Sequence, residues 1–133
     1  MQEQHTKKLT DSELRIMEIL WKEGACSARH LADALAQTQG WNINSTYTLI
    51  RRCIKKGAIA REEPGFVCRA LLRCEDVRRA ETEKILDRLF DGSADLLFSA
   101  LLESRSVTPE QLRRMKRQLE ALEQEEGPCP DEM

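Results

Sequence analysis

Asn44, Ser45, Tyr47, Thr48, Arg51, Arg52 and Lys55 lie in one short stretch of a 133-residue chain. Their side chains suit one chemistry. Amide and hydroxyl groups can hydrogen-bond base edges or phosphates, arginine can grip guanine through two bonds, and lysine neutralises phosphate. Ile43, Thr46, Ile50, Cys53 and Ile54 interleave with them at intervals of 3, 4, 3 and 1. That spacing puts the apolar set on one face of a helix and leaves the polar and basic set on the other. A helix dipole adds positive potential near its first turn. Between Asp33 and Glu62 there is no acidic residue, so nothing in the stretch offsets its cations. Arg61 and Arg69, further along, are placed to hold a nucleic-acid backbone on the flank.

The overall charge conceals this. The chain has 21 basic and 23 acidic residues, a formal net charge of −2. A nucleic-acid-binding domain usually shows a basic excess. Here the excess is local. Residues 1–74 hold 12 basic and 8 acidic side chains, and residues 75–133 hold 9 and 15.

The elements around the basic face follow from capping and period. Thr10 and Glu13 form a capping box, and Leu9 and Leu14 a hydrophobic staple. They open a helix at about 11–23, with Leu14, Ile16, Met17, Ile19, Leu20 and Trp21 on its apolar side. Gly24 is its expected left-handed stop. Trp21 is expected in the core. Ser27 caps a second helix to about Gln37, striped by Ala28, Leu31 and Leu35, and a linker at 38–41 follows. His30, early in this helix, reads as a surface residue. Trp41 is expected to pack between helices. Asn42 caps the third helix, from about Ile43 to Lys56, and Gly57 ends it.

The period then changes to two. Ala58–Glu62 and Phe66–Leu72 read as short strands joined by a type II turn at Glu63-Pro64-Gly65-Phe66. Helical spacing returns over Glu75–Asp91, stopping at Gly92. Ser93 caps a helix to about Glu103. Thr108, Pro109 and Gln111 open a last helix, with Val107 and Leu112 as its staple. The tail beyond Gln124 is acidic, contains two prolines, and reads as disordered.

These elements predict a mainly α (α+β) chain. Residues 1–74 form a winged helix-turn-helix with a small β hairpin, whose third helix presents its exposed face to the major groove. Residues 75–126 form a helical dimerisation module, and 127–133 the tail. About 50 residues of short helices bury only a marginal core alone. A second copy doubles the apolar area. Leu89, Phe90, Leu97, Leu101, Leu112, Met115, Leu119 and Leu122 are the expected dimer contacts.

Other chemistries are poorly supplied. No Gly-rich phosphate loop, nucleophile elbow or metal-ligand pair occurs, so neither enzyme activity nor a cofactor or metal is expected. Five widely spaced cysteines, without a C-x-x-C pair, do not suit a disulfide framework. No apolar run is long enough to cross a bilayer, and the polar N-terminus lacks a signal-peptide core. A cytoplasmic location is expected, without membrane insertion. Two alternatives stay open. One is a winged-helix protein–protein adaptor. The other is a thiol- or metal-responsive regulator built on Cys68 and Cys74, with Cys26.

The run from Trp41 to Ile59 resembles the recognition helix of the BlaI/MecI/CopY (penicillinase repressor) family. The likeness includes the Trp before the helix, Thr48 and Arg52 four apart, and the Lys55-Lys56-Gly57 exit. Leu9-Thr10-Asp11-Ser12-Glu13 with Met17 and Trp21 is similar to the family's first helix. Asp91-Gly92-Ser93 resembles its short C-terminal link. Together these motifs span about residues 8–124. The resemblance implies a homodimeric transcriptional repressor on a palindromic operator. It also implies release when a membrane metalloprotease sensor leads to cleavage between an Asn and a Phe. The matching positions here are Ala100 and Leu101, which depart from that pair. The family's copper-responsive branch carries C-terminal C-x-C pairs, where this tail has only Cys129 between two prolines.

Overall fold

Thr10 accepts from the Glu13 backbone N–H, and the Glu13 carboxylate accepts from the Thr10 N–H at 2.9 Å. This reciprocal cap starts the first helix in a computed structural model that describes residues 8–126. The tail at 127–133, with Cys129, lies outside the described residues. The element order is α1 (Asp11–Glu23), β1 (Cys26–Ser27), α2 (Ala28–Gln39), α3 (Ile43–Lys55), β2 (Ile59–Glu62), β3 (Val67–Ala70), α4 (Cys74–Leu89), α5 (Ala94–Glu103) and α6 (Pro109–Glu126). Contacts divide the chain into two compact units, the first ending at Glu81 and the second starting at Thr82.

The first unit is a winged helix-turn-helix. Ser27 caps α2 and Asn42 caps α3, each side chain accepting from a backbone N–H three residues on. Gly40 closes α2 in the left-handed conformation, so that helix runs two residues past the expected Gln37. α3 packs on α1, α2 and β2. Ile16, Met17, Leu31, Ile50, Cys53, Ile59 and Cys68 are fully buried between these elements. Each large aliphatic among them contributes about 1.5–3 kcal/mol through removal from water. Trp21 and Trp41 pack against this core but stay partly exposed. The Trp21 indole N–H donates to the Leu72 carbonyl at 2.9 Å. His30 is exposed, with Nε2 2.8 Å from Glu23 Oε1.

Four expectations need correction. The wing is a three-stranded antiparallel sheet in the order β1-β3-β2, where a two-stranded hairpin was expected. The extended backbone at the Ser27 cap lets Cys26 and Ser27 pair with Cys68 and Val67. The strands are shorter than their alternation suggested, Ile59–Glu62 against Val67–Ala70, with one further ladder bond from the Leu71 N–H to the Ala58 carbonyl at 2.8 Å. Gly24 has φ +87° and ψ −173°, an extended form open to glycine rather than the left-handed cap. The wing turn also departs from type II. The Glu63–Pro64 peptide is cis, φ is positive at both Gly65 and Phe66, and the Phe66 N–H donates to the Glu63 side chain.

The second unit behaves differently. α4 starts in the first unit at Cys74 and ends in the second at Leu89, and Asp91 and Gly92 both take positive φ in the link. Ser93 caps α5, and Thr108 with Gln111 forms the capping box of α6. Neither α4 nor α5 has a fully buried residue. The apolar residues of this unit form a surface, not a closed core.

Candidate nucleic-acid interface

α3 presents its two faces as its spacing requires. Thr46, Ile50 and Cys53 are buried. Asn44, Ser45, Thr48, Arg51, Arg52 and Lys55 are exposed, and Tyr47 is half-buried. The Thr48 hydroxyl donates to the Asn44 carbonyl one turn back, which leaves its oxygen free to accept. Arg51 lies over the Tyr47 ring, 5.8 Å from its centroid, a cation–π arrangement that stiffens a long side chain. Among the described residues, Arg51, Arg52 and Lys55 make no ion pair with an acidic side chain.

Lys56 is the exception on this helix. Its ammonium turns inward to Glu13 Oε1 at 2.6 Å and to the Lys8 carbonyl at 2.8 Å. Burial acts to raise the Glu13 pKa, but the bonds from Lys56 and Thr10 outweigh it and hold the carboxyl below its ordinary value. Glu13 is wholly buried, and its Oε2 has no hydrogen-bond partner among the described residues. The pair therefore ties the end of α3 to the start of α1. The sequence hint was a Lys-Lys exit, which does not say which lysine turns in.

The wing cations are held otherwise. Arg61 pairs with Glu63, and Arg69 with Glu62 at 2.8 Å, all four side chains being exposed. Exposed pairs of this kind contribute little and exchange readily. The Arg61 guanidinium sits 3.6 Å over the Phe66 ring, whose other contact is an edge-on Tyr47 at 5.8 Å. Phe66 thus links the wing to α3. The sequence places Phe66 at the turn and the start of a strand, and nothing in its local sequence marks this bridge.

Burial pushes Cys53 up to about 12 and Cys68 up to about 11, and raises Cys26 as well. Among the described residues no three His, Cys, Asp or Glu side chains converge as a metal site.

In the second unit, Leu97, Leu101, Met115, Leu119 and Leu122 line an apolar groove of about 540 Å³ between α5 and α6, joined by Ala94, Asp95, Phe98 and Gln118. Leu89, Phe90 and Leu112 do not line it. Leu89 is 71 % exposed, and Leu119 and Leu122 are more than half exposed. Phe98, not among the expected dimer contacts, also lines the groove; α5 is apolar almost all round, so spacing does not select a face. Ala100 and Leu101 are half-buried within α5. No helix among the described residues is long and apolar enough to cross a membrane.

The chain is similar to several known proteins. The penicillinase repressor of Bacillus licheniformis is 24 % identical over 115 residues, covering 85 % of this chain and 90 % of that protein. The methicillin resistance regulatory protein MecI of Staphylococcus aureus (strain N315) is 20 % identical over 113 residues, covering 84 % and 92 %. The solution structure of the B. licheniformis BlaI monomeric form in complex with the blaP half-operator aligns with TM-score 0.47 and 28 % identity. It covers 53 % of this chain and 88 % of that one. Residues 9–121 match the penicillinase repressor family. The chain belongs to the penicillinase repressor family.

Proposed function

We propose that this protein is a cytoplasmic, homodimeric transcriptional repressor that binds a two-fold operator sequence. The exposed face of α3 carries the reading. It offers three cations without acidic partners among the described residues, beside Asn44, Ser45 and Thr48, on a helix whose other face is locked into the core. In the proposed complex α3 enters the major groove. Arg51, Arg52 and Lys55 meet phosphates or guanine, and Asn44, Ser45, Tyr47 and Thr48 meet base edges or backbone. Arg61 and Arg69 exchange their wing carboxylates for flanking phosphates.

Two copies are needed for a two-fold site. The apolar surface of α5 and α6 supports pairing, since so much exposed leucine is costly for a lone chain in water. A two-fold dimer sets the two α3 helices about one DNA turn, roughly 34–36 Å, or a multiple of it apart. The family resemblance extends the reading to release by a sensor-linked protease, although the matching bond, Ala100–Leu101, lacks the family's Asn–Phe pair. That bond lies inside α5, so the helix must open before a protease can take it as an extended strand.

The test is a gel shift against DNA upstream of the protein's own gene, with light scattering to fix the oligomer. A discrete complex containing two chains is expected. A confirmed dimer that shifts no DNA at low salt would favour a protein–protein adaptor instead.

A further inference from the structure

Cys26 and Cys68 are distant in sequence but directly opposite each other in the sheet, on β1 and β3. The Ala28 N–H donates to the Phe66 carbonyl two positions along the same ladder, at 2.9 Å. Alternation then makes Cys26–Cys68 a hydrogen-bonded pair, for which Cα atoms sit about 5.5 Å apart. That separation falls in the disulfide range, and both side chains leave the same face of the sheet. Cys26 is half-buried and reachable, while Cys68 is buried behind it. Cys68 lies within electrostatic reach of a third thiol, Cys53 on the underside of α3.

We propose that Cys26 and Cys68 form a reversible cross-strand disulfide that weakens DNA binding, with a low-molecular-weight disulfide as the oxidant. The step balances as two exchanges. The Cys26 thiol loses its proton, and its sulfur attacks one sulfur of the oxidant. A mixed disulfide forms, the oxidant's S–S bond breaks, and one thiolate leaves and is protonated. The Cys68 sulfur, deprotonated in turn, then attacks the Cys26 sulfur and expels the second thiol. Two protein thiols are oxidised, and one small disulfide is reduced to two thiols.

The geometry accounts for reversibility and for an effect on α3. The Cα separation admits the bond, but Cβ atoms across a hydrogen-bonded pair stand about 5 Å apart against about 3.8 Å in a relaxed disulfide, so closure strains the ladder, and strained disulfides are readily reduced. Closure also draws the Cys68 sulfur toward β1 and out of the core beneath Cys53. The packing under α3 loosens, and the wing root shifts with it. In a reducing compartment such pairs serve as transient sensors rather than staples.

The effect on affinity rests on the DNA-binding reading above, whereas the bond itself does not. The experiment treats the full chain with oxidised glutathione, blocks remaining thiols under denaturing conditions, and maps linked peptides by mass. Operator binding of the same samples is measured before and after dithiothreitol. We expect a Cys26–Cys68 linkage and at least about fivefold weaker binding, within the usual range of coupling between sites, both reversed by dithiothreitol. Cys26→Ser should abolish both effects, and Cys68→Ala provides a second variant lacking the pair. Reduced protein that binds no DNA would overturn the repressor reading while leaving the linkage to be scored by mass. Absence of the linkage, a dominant bond to Cys53 or Cys74, or a formed linkage with unchanged affinity would each overturn this proposal.

Discussion

The Lys56 ammonium, at the end of α3, lies 2.6 Å from a carboxylate oxygen of Glu13, which is wholly buried in the first turn of α1. These residues are 43 positions apart, and their contact fixes the far end of the proposed reading helix. Among the described residues, Lys56→Met removes the only cation within bonding distance of that carboxylate. Breaking a buried pair costs 3–5 kcal/mol when both partners are enclosed, and Lys56 keeps some exposure, so we expect a loss of about 2–3 kcal/mol. Urea unfolding followed by circular dichroism measures it. A change below about 0.5 kcal/mol would show that the pair contributes no stability.

The same pair makes stability depend on pH. The folded carboxyl of Glu13 titrates below its ordinary 4.5, so as pH falls the unfolded chain takes up this proton first. The contribution is complete above pH 4.5 and fades as pH drops through the folded value. Glu13→Gln lacks it at every pH. The stability gap between the original protein and this variant should therefore be widest near neutrality and narrow on acidification below 4.5. Unfolding midpoints across that range test this, and a gap that stays constant would contradict it.

Cations with and without local partners should differ on DNA. Lys55 has no acidic partner among the described residues, whereas Arg69 holds Glu62 at 2.8 Å. Lys55→Ala should lower the slope of log affinity against log salt by about 1, the signature of one lost phosphate contact. Arg69→Ala should lower it less, because its release from Glu62 offsets part of the gain. Equal slopes for the two variants would remove the distinction.

Much of this layout is legible in the residues themselves. The two faces of α3 follow from the spacing of Ile43, Thr46, Ile50 and Cys53, and the helix starts follow from Thr10, Ser27, Asn42, Ser93 and Thr108. What could not be read is long-range. Two residues have no period, so β1 exists only because β3 pairs with it. The Lys56–Glu13 contact and the Phe66 bridge between Arg61 and Tyr47 join segments whose local patterns carry no sign of each other. The groove on α5 was only partly legible, since a helix apolar on nearly every side does not declare which leucines it will leave exposed.

The α5–α6 groove leads to a prediction about assembly. Leu119→Asp with Leu122→Asp places two charges on the exposed groove wall. We expect the full chain to sediment as a monomer with its first unit folded. Operator affinity should fall by about 100-fold or more, because linked binding to two half-sites is lost. Sedimentation velocity and anisotropy together check this. A dimer that survives both substitutions would place the interface elsewhere.

Recognition by α3 is tested most directly at Arg52, which is exposed and bound to no acidic side chain among the described residues. Fluorescence anisotropy at fixed salt compares the original protein with Arg52→Ala on an operator fragment, with melting temperature as the control. We expect affinity to fall by about 1–3 kcal/mol, at least tenfold for most of that range, while stability stays within about 0.5 kcal/mol. Unchanged affinity with an intact fold would contradict recognition through this face of α3.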